Sequence, residues 1–372
     1  MNKTTLSNPV RSIAFFLTAI ILACTFGFTV DGWQASDRQA QEDGEEPKEE
    51  PEEGENTDNS GQEELPKEPE IYIPECTSRL TGLEISEESV KAAMLAFVMS
   101  SKLPAFGISS AELVCEIPTE NGETRLLAFI PECENLWKIG SVTSTRGYIS
   151  NIAKYFGAAL ISCGSDDQMS YPKCDLSGSQ LDFSKNSGFH YTEYTSNVYT
   201  NRDLLVSGLS DAGISADNIS KAPLPFNHLE FGEKKIKFAE SVANNIRIEQ
   251  SKDLVNELQF DEGTGCYTLF TNGAKKLDAL NGKSLEFENC FVLFADSVTY
   301  DNSQCSQMVM DTIGEGSGFY FTNGSFAEIR WTATSGGIMT FYSMDGNKLT
   351  VNRGRTYISF LKSSMSENLF FE

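Results

Sequence analysis

From Leu80 onward, short apolar runs alternate with turn-forming residues at the spacing of a strand-rich fold. Lys91–Met99 is short and apolar, the pattern of a buried strand. Glu112–Pro118 and Thr124–Ile130 are two further apolar runs. The five residues between them hold Asn121-Gly122, a strong hairpin signal. Ser150–Phe156 predicts a helix that places Ile152, Tyr155 and Phe156 on one face and stops at Gly157. Ala158–Ser162 predicts another strand, and Asn201–Leu209 a helix ended by Gly213.

Beyond residue 235 the pattern is almost wholly β. Phe291–Phe294 predicts a strand, and Gly318–Trp331 a pair of strands around Asn323-Gly324. Met339–Tyr342 and Lys348–Val351 flank Asp345-Gly346, and Thr356–Leu361 predicts a last strand. The expected fold class is therefore α+β. A mixed α/β N-terminal domain over residues 76–235 is followed by a mainly antiparallel β domain over 236–372, the boundary lying between Pro225 and Ile246. Gly314–Gly318 superficially matches a phosphate loop. It lacks the Gly-Lys-Ser/Thr ending and precedes a strand, so it predicts a turn between strands.

The first 75 residues follow other rules. Lys3 and Arg11 precede an uncharged run from Ile13 to Val30, the layout of an export signal over residues 1–30. Ile21-Leu22-Ala23-Cys24 is similar to a bacterial lipobox, in which the cysteine becomes lipidated. The run is also just long enough to span a bilayer uncleaved. Either reading anchors the chain at the membrane and puts the rest outside the cytoplasm, since the positive charges stay within. Residues 31–75 are rich in Glu, Pro, Gly, Asn and Gln, which predicts a disordered, self-repelling spacer.

Net charge sharpens that picture. The chain carries a formal −24, and fifteen acidic residues lie between Asp37 and Glu70 against Arg38, Lys48 and Lys67. No basic stripe interleaved with aromatics offers an electrostatic footprint for nucleic acid. With Cys24 lipidated, eight cysteines remain, an even number in an oxidising compartment. Cys115 with Cys133 and Cys163 with Cys174 are candidate disulfides, and buried free thiols are the equal alternative. His190 and His228 are the only histidines, and their spacing suits neither zinc nor a nucleophilic triad. No cofactor motif is present, and no metal or catalytic set is assigned.

Two chemistries stay open for Glu116, Glu120, Arg125 and Arg146. Paired carboxylates at Glu116 and Glu120 are the type of residues that hydrolyse glycosides when held at the right separation. Arg125 and Arg146 are instead suited to clamp a carboxylate or phosphate through bidentate bonds. The second chemistry predicts a small anionic ligand, beside an envelope protein as the other expected partner.

Several blocks in order resemble the YerB-like lipoprotein family. They are Leu80-Thr81-Gly82-Leu83, Gly107–Glu116, Glu120-Asn121-Gly122, Thr124-Arg125, Lys138–Arg146 and Asn197-Val198-Tyr199-Thr200. Tyr267, Asn272-Gly273, Asp278, Gly314-Glu315-Gly316, Trp331, Phe341-Tyr342 and Asp345-Gly346 extend the likeness to about residue 362. It implies a two-domain bacterial surface lipoprotein with no established activity. It also implies a pocket at Glu116, Arg125, Arg146, Asn197 and Tyr199. Thr143, Ser162, Thr192, Glu193 and Ser196 stand where the family usually carries arginine, histidine or lysine. These departures imply a reduced or repurposed pocket in this chain.

Overall fold

The structure, a computed structural model, describes residues 76–87, 89, 94–131, 133, 136–164, 180–185, 188, 190–193, 197–214, 229–239, 241–301, 306–335 and 337–372. The expected anchor, Cys24 and the acidic spacer lie outside the described residues. Among those described, no helix is long and apolar enough to cross a membrane.

The first half supplies β1 (Leu95–Ser100), β2 (Leu113–Pro118), β3 (Thr124–Ile130), β4 (Ile139–Val142), β5 (Ala159–Ser162), β6 (Gln180–Asp182), β7 (Tyr191–Glu193), β8 (Asn197–Thr200) and β9 (Glu230–Phe231). It also supplies α1 (Gly147–Tyr155) and α2 (Arg202–Asp211). The second half adds β10 (Asn245–Ser251), β11 (Leu254–Asp261), β12 (Cys266–Thr271), β13 (Ala274–Lys275), β14 (Glu286–Phe287), β15 (Asn289–Ala295), β16 (Ser297–Asp301) and β17 (Ser306–Met310). It ends with β18 (Gly314–Thr322), β19 (Ser325–Ala333), β20 (Met339–Ser343), β21 (Thr350–Val351), β22 (Thr356–Lys362) and β23 (Leu369–Phe371). The fold is mainly β, with few helices.

Both halves build one thirteen-stranded sheet. Its order is β20-β19-β18-β15-β22-β2-β3-β1-β4-β8-β7, with β5 beside β1 and β6 beside β5. The join is β22, which runs parallel to β15 on one side and to β2 on the other. A six-stranded sheet, β13-β12-β11-β10-β23 with β14 beside β12, lies against one face of the large one.

The two sheets read differently for a physical reason. Phe97 and Met99 of β1 enter the core shared with the small sheet. Ala96 and Val98 enter a second core under α1. A strand covered on both faces needs apolar residues at every position, so β1, β3 and β15 read as unbroken runs. In β10 only alternate positions are buried, Ile246, Ile248 and Gln250, so that strand alternates.

Local expectations meet the structure unevenly. β2 and β3 pair antiparallel around Asn121-Gly122, whose φ values of 59° and 71° are the left-handed ones such a turn requires. Asn323-Gly324 joins β18 to β19 in the same way. α1 begins three residues earlier than the pattern predicts, and Tyr148 and Tyr155 donate to the carbonyls of Pro118 and Thr312. Asn201 caps α2 by accepting from the Leu204 N–H at 3.0 Å. The Asp345-Gly346 turn brings Lys348 back only to a bridge with Tyr342. Thr350–Val351 then leaves to pair with β9.

Gly314–Gly318 is not a turn but the first part of β18. Trp331 crosses Gly316 to donate its indole N–H to the Phe294 carbonyl at 3.1 Å, filling the space a side chain would need. Cys115 and Cys133 are both free, the free-thiol alternative rather than the disulfide, and Cys115 points into the core under α1. Cys163 is free as well, and Cys174 lies outside the described residues.

Candidate functional site

A cleft of about 280 Å³ opens where residues 232–235 pass over the loops before β12 and β22. Gly232, Glu233, Lys234, Lys235, Thr264, Gly265, Glu288, Thr322, Asn352 and Arg353 line it. The buried amide of Asn352 builds its wall. Its side chain accepts from the Ile236 N–H at 2.7 Å and donates to the Ile236 carbonyl at 2.9 Å and to Thr322 Oγ1 at 2.7 Å. The Tyr320 hydroxyl accepts from the Asn352 N–H, and Asn289 donates to the Asn352 carbonyl. Gly232 N–H to the Val351 carbonyl and Phe238 N–H to Ser325 Oγ secure the segment at either end. The exposed segment is therefore fastened to the β-core at several points, which fixes the cleft wall.

Charge is arranged in two layers. Glu288 lies half-buried, its carboxylate accepting from the Arg355 N–H at 2.6 Å and from Cys266 Sγ at 3.5 Å. Burial, and then the nearby Glu288 carboxylate, push the Cys266 thiol up to about 11, so it stays a neutral donor. Above that layer Lys234, Lys235 and Arg353 are exposed. None of the three makes an ion pair or side-chain hydrogen bond among the described residues. Lys235 Nζ lies 2.7 Å from where a Cβ at Gly265 would stand. The missing side chain, at a φ of +73°, thus leaves room for the ammonium.

The residues singled out by sequence sit elsewhere, each held by its own neighbours. Glu116 is buried in β2 and accepts from Thr124 Oγ1 and from the Tyr357 hydroxyl, both at 2.7 Å. Burial and the adjacent Glu116 raise the Tyr357 phenol well above its usual range, so it remains a donor. Arg125 donates to Glu123 at 3.3 Å and to the Thr124 carbonyl at 3.2 Å.

Arg146 grips Glu120 with two nitrogens. Nε lies 3.0 Å from Oε1 and the terminal Nη2 2.9 Å from Oε2, while the Met308 N–H also donates to Oε1. Burial raises the Glu120 carboxyl, but the bonds from Arg146 and Met308 outweigh it and hold the group below its ordinary range.

Tyr199 is buried, edge-on to Phe106, with the Lys138 ammonium 4.1 Å from its ring centroid. Asn197 is half-buried in β8, opposite Glu193 of β7. Among the departures from the family pattern, Ser162 is buried and accepts from Gln180 Nε2 at 3.1 Å. Thr143 is held through its backbone by Val98 and Cys163, Thr192 lies on β7, and Ser196 is outside the described residues. His190 stacks on Phe183 at 5.3 Å. No three or more His, Cys, Asp or Glu among the described residues group as a metal would need.

Sequence reasoning missed the cleft because Lys235 and Arg353 are far apart in the chain. One signal was available: Gly232-Glu-Lys-Lys-Ile-Lys237 carries three lysines within six residues of an otherwise acidic chain.

Comparison with known proteins places this geometry in a family. Residues 80–215 match the N-terminal domain of a protein of unknown function (DUF3048), and residues 245–358 match its C-terminal domain. The fold is similar to the crystal structure of the YerB protein from Bacillus subtilis. The TM-score is 0.65 and the identity 20%, over 77% of this chain and 97% of that one. No curated protein matches the chain.

Proposed function

The chain belongs to the DUF3048 family, and on that premise we propose that it is a membrane-anchored, extracytoplasmic binding protein of a bacterial envelope. Lys3, Arg11, the run from Ile13 to Val30 and Cys24 support the anchor, and residues 31–75 support a spacer that carries the folded part outward. The expected partner is an envelope protein or a small anionic ligand.

One observation carries the choice of binding over turnover. A glycoside hydrolase needs one carboxyl ready to give a proton and another ready to attack or to activate water. Both oxygens of Glu116 already accept from Thr124 and Tyr357 inside the sheet. Glu120 is gripped by Arg146 and by a backbone amide. Those bonds serve the fold and leave both groups poorly disposed to act on a polymer.

The test uses the full chain expressed in a bacterium. Membrane fractionation, with Cys24→Ser as the comparison, is expected to place the parent in the membrane fraction and to show a lipid-dependent mass only with Cys24. Release of soluble fragments from isolated cell wall is expected to stay at background. Wall turnover by the parent that disappears in Glu116→Gln/Glu120→Gln would overturn the binding reading.

A further inference from the structure

We infer that the cleft at Lys234, Lys235 and Arg353 is an oxyanion site, taking a phosphate or carboxylate group of a small molecule outside the cytoplasm. The inference rests on the reading of this chain as a binding protein and assigns that reading a place and a ligand chemistry.

Three observations converge. The first is charge. The whole chain carries −24, yet this cleft gathers three cations against Glu233 and Glu288. Glu288 is turned inward to the Arg355 amide and the Cys266 thiol, so at the mouth three cations outnumber the one exposed carboxylate, Glu233. Like charges in excess of their counter-charges repel one another, and an anion between them relieves that repulsion.

The second is that the frame is fixed. Asn352, Thr322, Tyr320 and Asn289 hold the backbone of both walls through buried hydrogen bonds. The cations therefore extend from anchored backbone, and a fixed frame lowers the ordering penalty of binding.

The third concerns donors and size. The Gly232 and Gly265 amides are already engaged with the Val351 and Asp261 carbonyls. With those two amides occupied, the exposed cationic side chains are the donors that carry recognition. Arg353 offers a planar fork for two oxygens, and Lys235 a point charge above Gly265. A volume of about 280 Å³ admits one such group with a few attached atoms, not a folded peptide. Binding through exposed ammonium and guanidinium groups is sensitive to salt.

Calorimetric titration of the full chain in detergent at low salt tests this with three probes: inorganic phosphate, glycerol phosphate and succinate. Saturable binding of one molecule per chain is expected for at least one probe. Preference for glycerol phosphate identifies an organic phosphate as the source, preference for inorganic phosphate the free ion, and preference for succinate a carboxylate. Lys235→Gln/Arg353→Gln should weaken binding at least about tenfold. Lys252→Gln/Lys283→Gln, which removes the same charge at two lysines that do not line the cleft, should leave it unchanged.

Absence of saturable binding by the parent, equal loss in both double variants, or full affinity in the cleft variant would each overturn the oxyanion site. Circular dichroism of the variants confirms that any loss is not unfolding. Failure here leaves the binding reading standing on the wall-turnover assay. A chain that turns over cell wall defeats that reading whatever the titration gives.

Discussion

Glu120–Arg146 and the Lys235–Arg353 cleft are both collections of charge on loops, yet they follow opposite logic. In the first, opposite charges meet with side chains only 9% and 13% exposed, and a bidentate geometry satisfies both. In the second, Lys234, Lys235 and Arg353 share a mouth open to water with Glu233, and none of the three makes an ion pair among the described residues. Charge that the fold has already neutralised has little attraction left for a ligand. Charge held in place and left unneutralised retains it.

The largest expected effect breaks the first region. Arg146→Ala strands the Glu120 carboxylate in a site that excludes most water. Removing one partner of a buried pair costs about 3–5 kcal/mol. The midpoint of urea unfolding should fall accordingly, and a change under about 1 kcal/mol would mean that water already solvates the pair.

Tyr357→Phe comes next. It removes the hydroxyl that donates to Glu116 Oε2 at 2.7 Å, in a β22 residue that is fully buried. Leaving a buried acceptor unmatched costs about 1–3 kcal/mol. Urea unfolding again reads it. Full stability in the variant would show that Glu116 finds another donor without penalty.

The contrast between the two regions also marks how far the sequence could be read. Hairpin turns at Asn121-Gly122 and Asn323-Gly324 are legible because two adjacent left-handed residues need that chemistry wherever they occur. Doubly covered strands such as β1 are legible as apolar runs but not as neighbours. Nothing local in Thr356–Lys362 says that it will sit between β2 and β15, because pairing across such separations is set by the assembled core. Glu116, Glu120 and Arg146 drew attention as charges near a hairpin, and the structure shows them bonded within the fold. Residue type alone does not tell a charge that meets a partner from one that does not. That distinction appears only when Lys235 and Arg353 are brought to one mouth by Asn352.

Acid sharpens the comparison from the other side. Glu120 has its folded-state carboxyl below the ordinary value of 4.5. Its contribution to stability is therefore fully present above pH 4.5 and lost as pH falls through the lower folded value. Glu120→Gln should flatten that part of the acid limb in a stability-versus-pH series. An unchanged limb would assign the acid loss to other carboxylates.

The smallest effect on stability belongs to the cleft, and its sign is informative. Lys235→Gln/Arg353→Gln removes two exposed charges that make no ion pair or side-chain hydrogen bond among the described residues, so stability should stay within about 0.5 kcal/mol of the parent. Relief of repulsion makes a slight gain in low salt the expected direction. Bound anion should reverse the order. At ten times the dissociation constant a ligand adds about 1.4 kcal/mol to the parent, and it adds little to a variant that binds tenfold more weakly. Thermal unfolding with and without the bound probe reads both terms in one experiment. If the variant is destabilised by more than about 1 kcal/mol without ligand, Lys235 and Arg353 belong with Arg146 as groups the fold itself consumes, and the contrast between the two regions collapses.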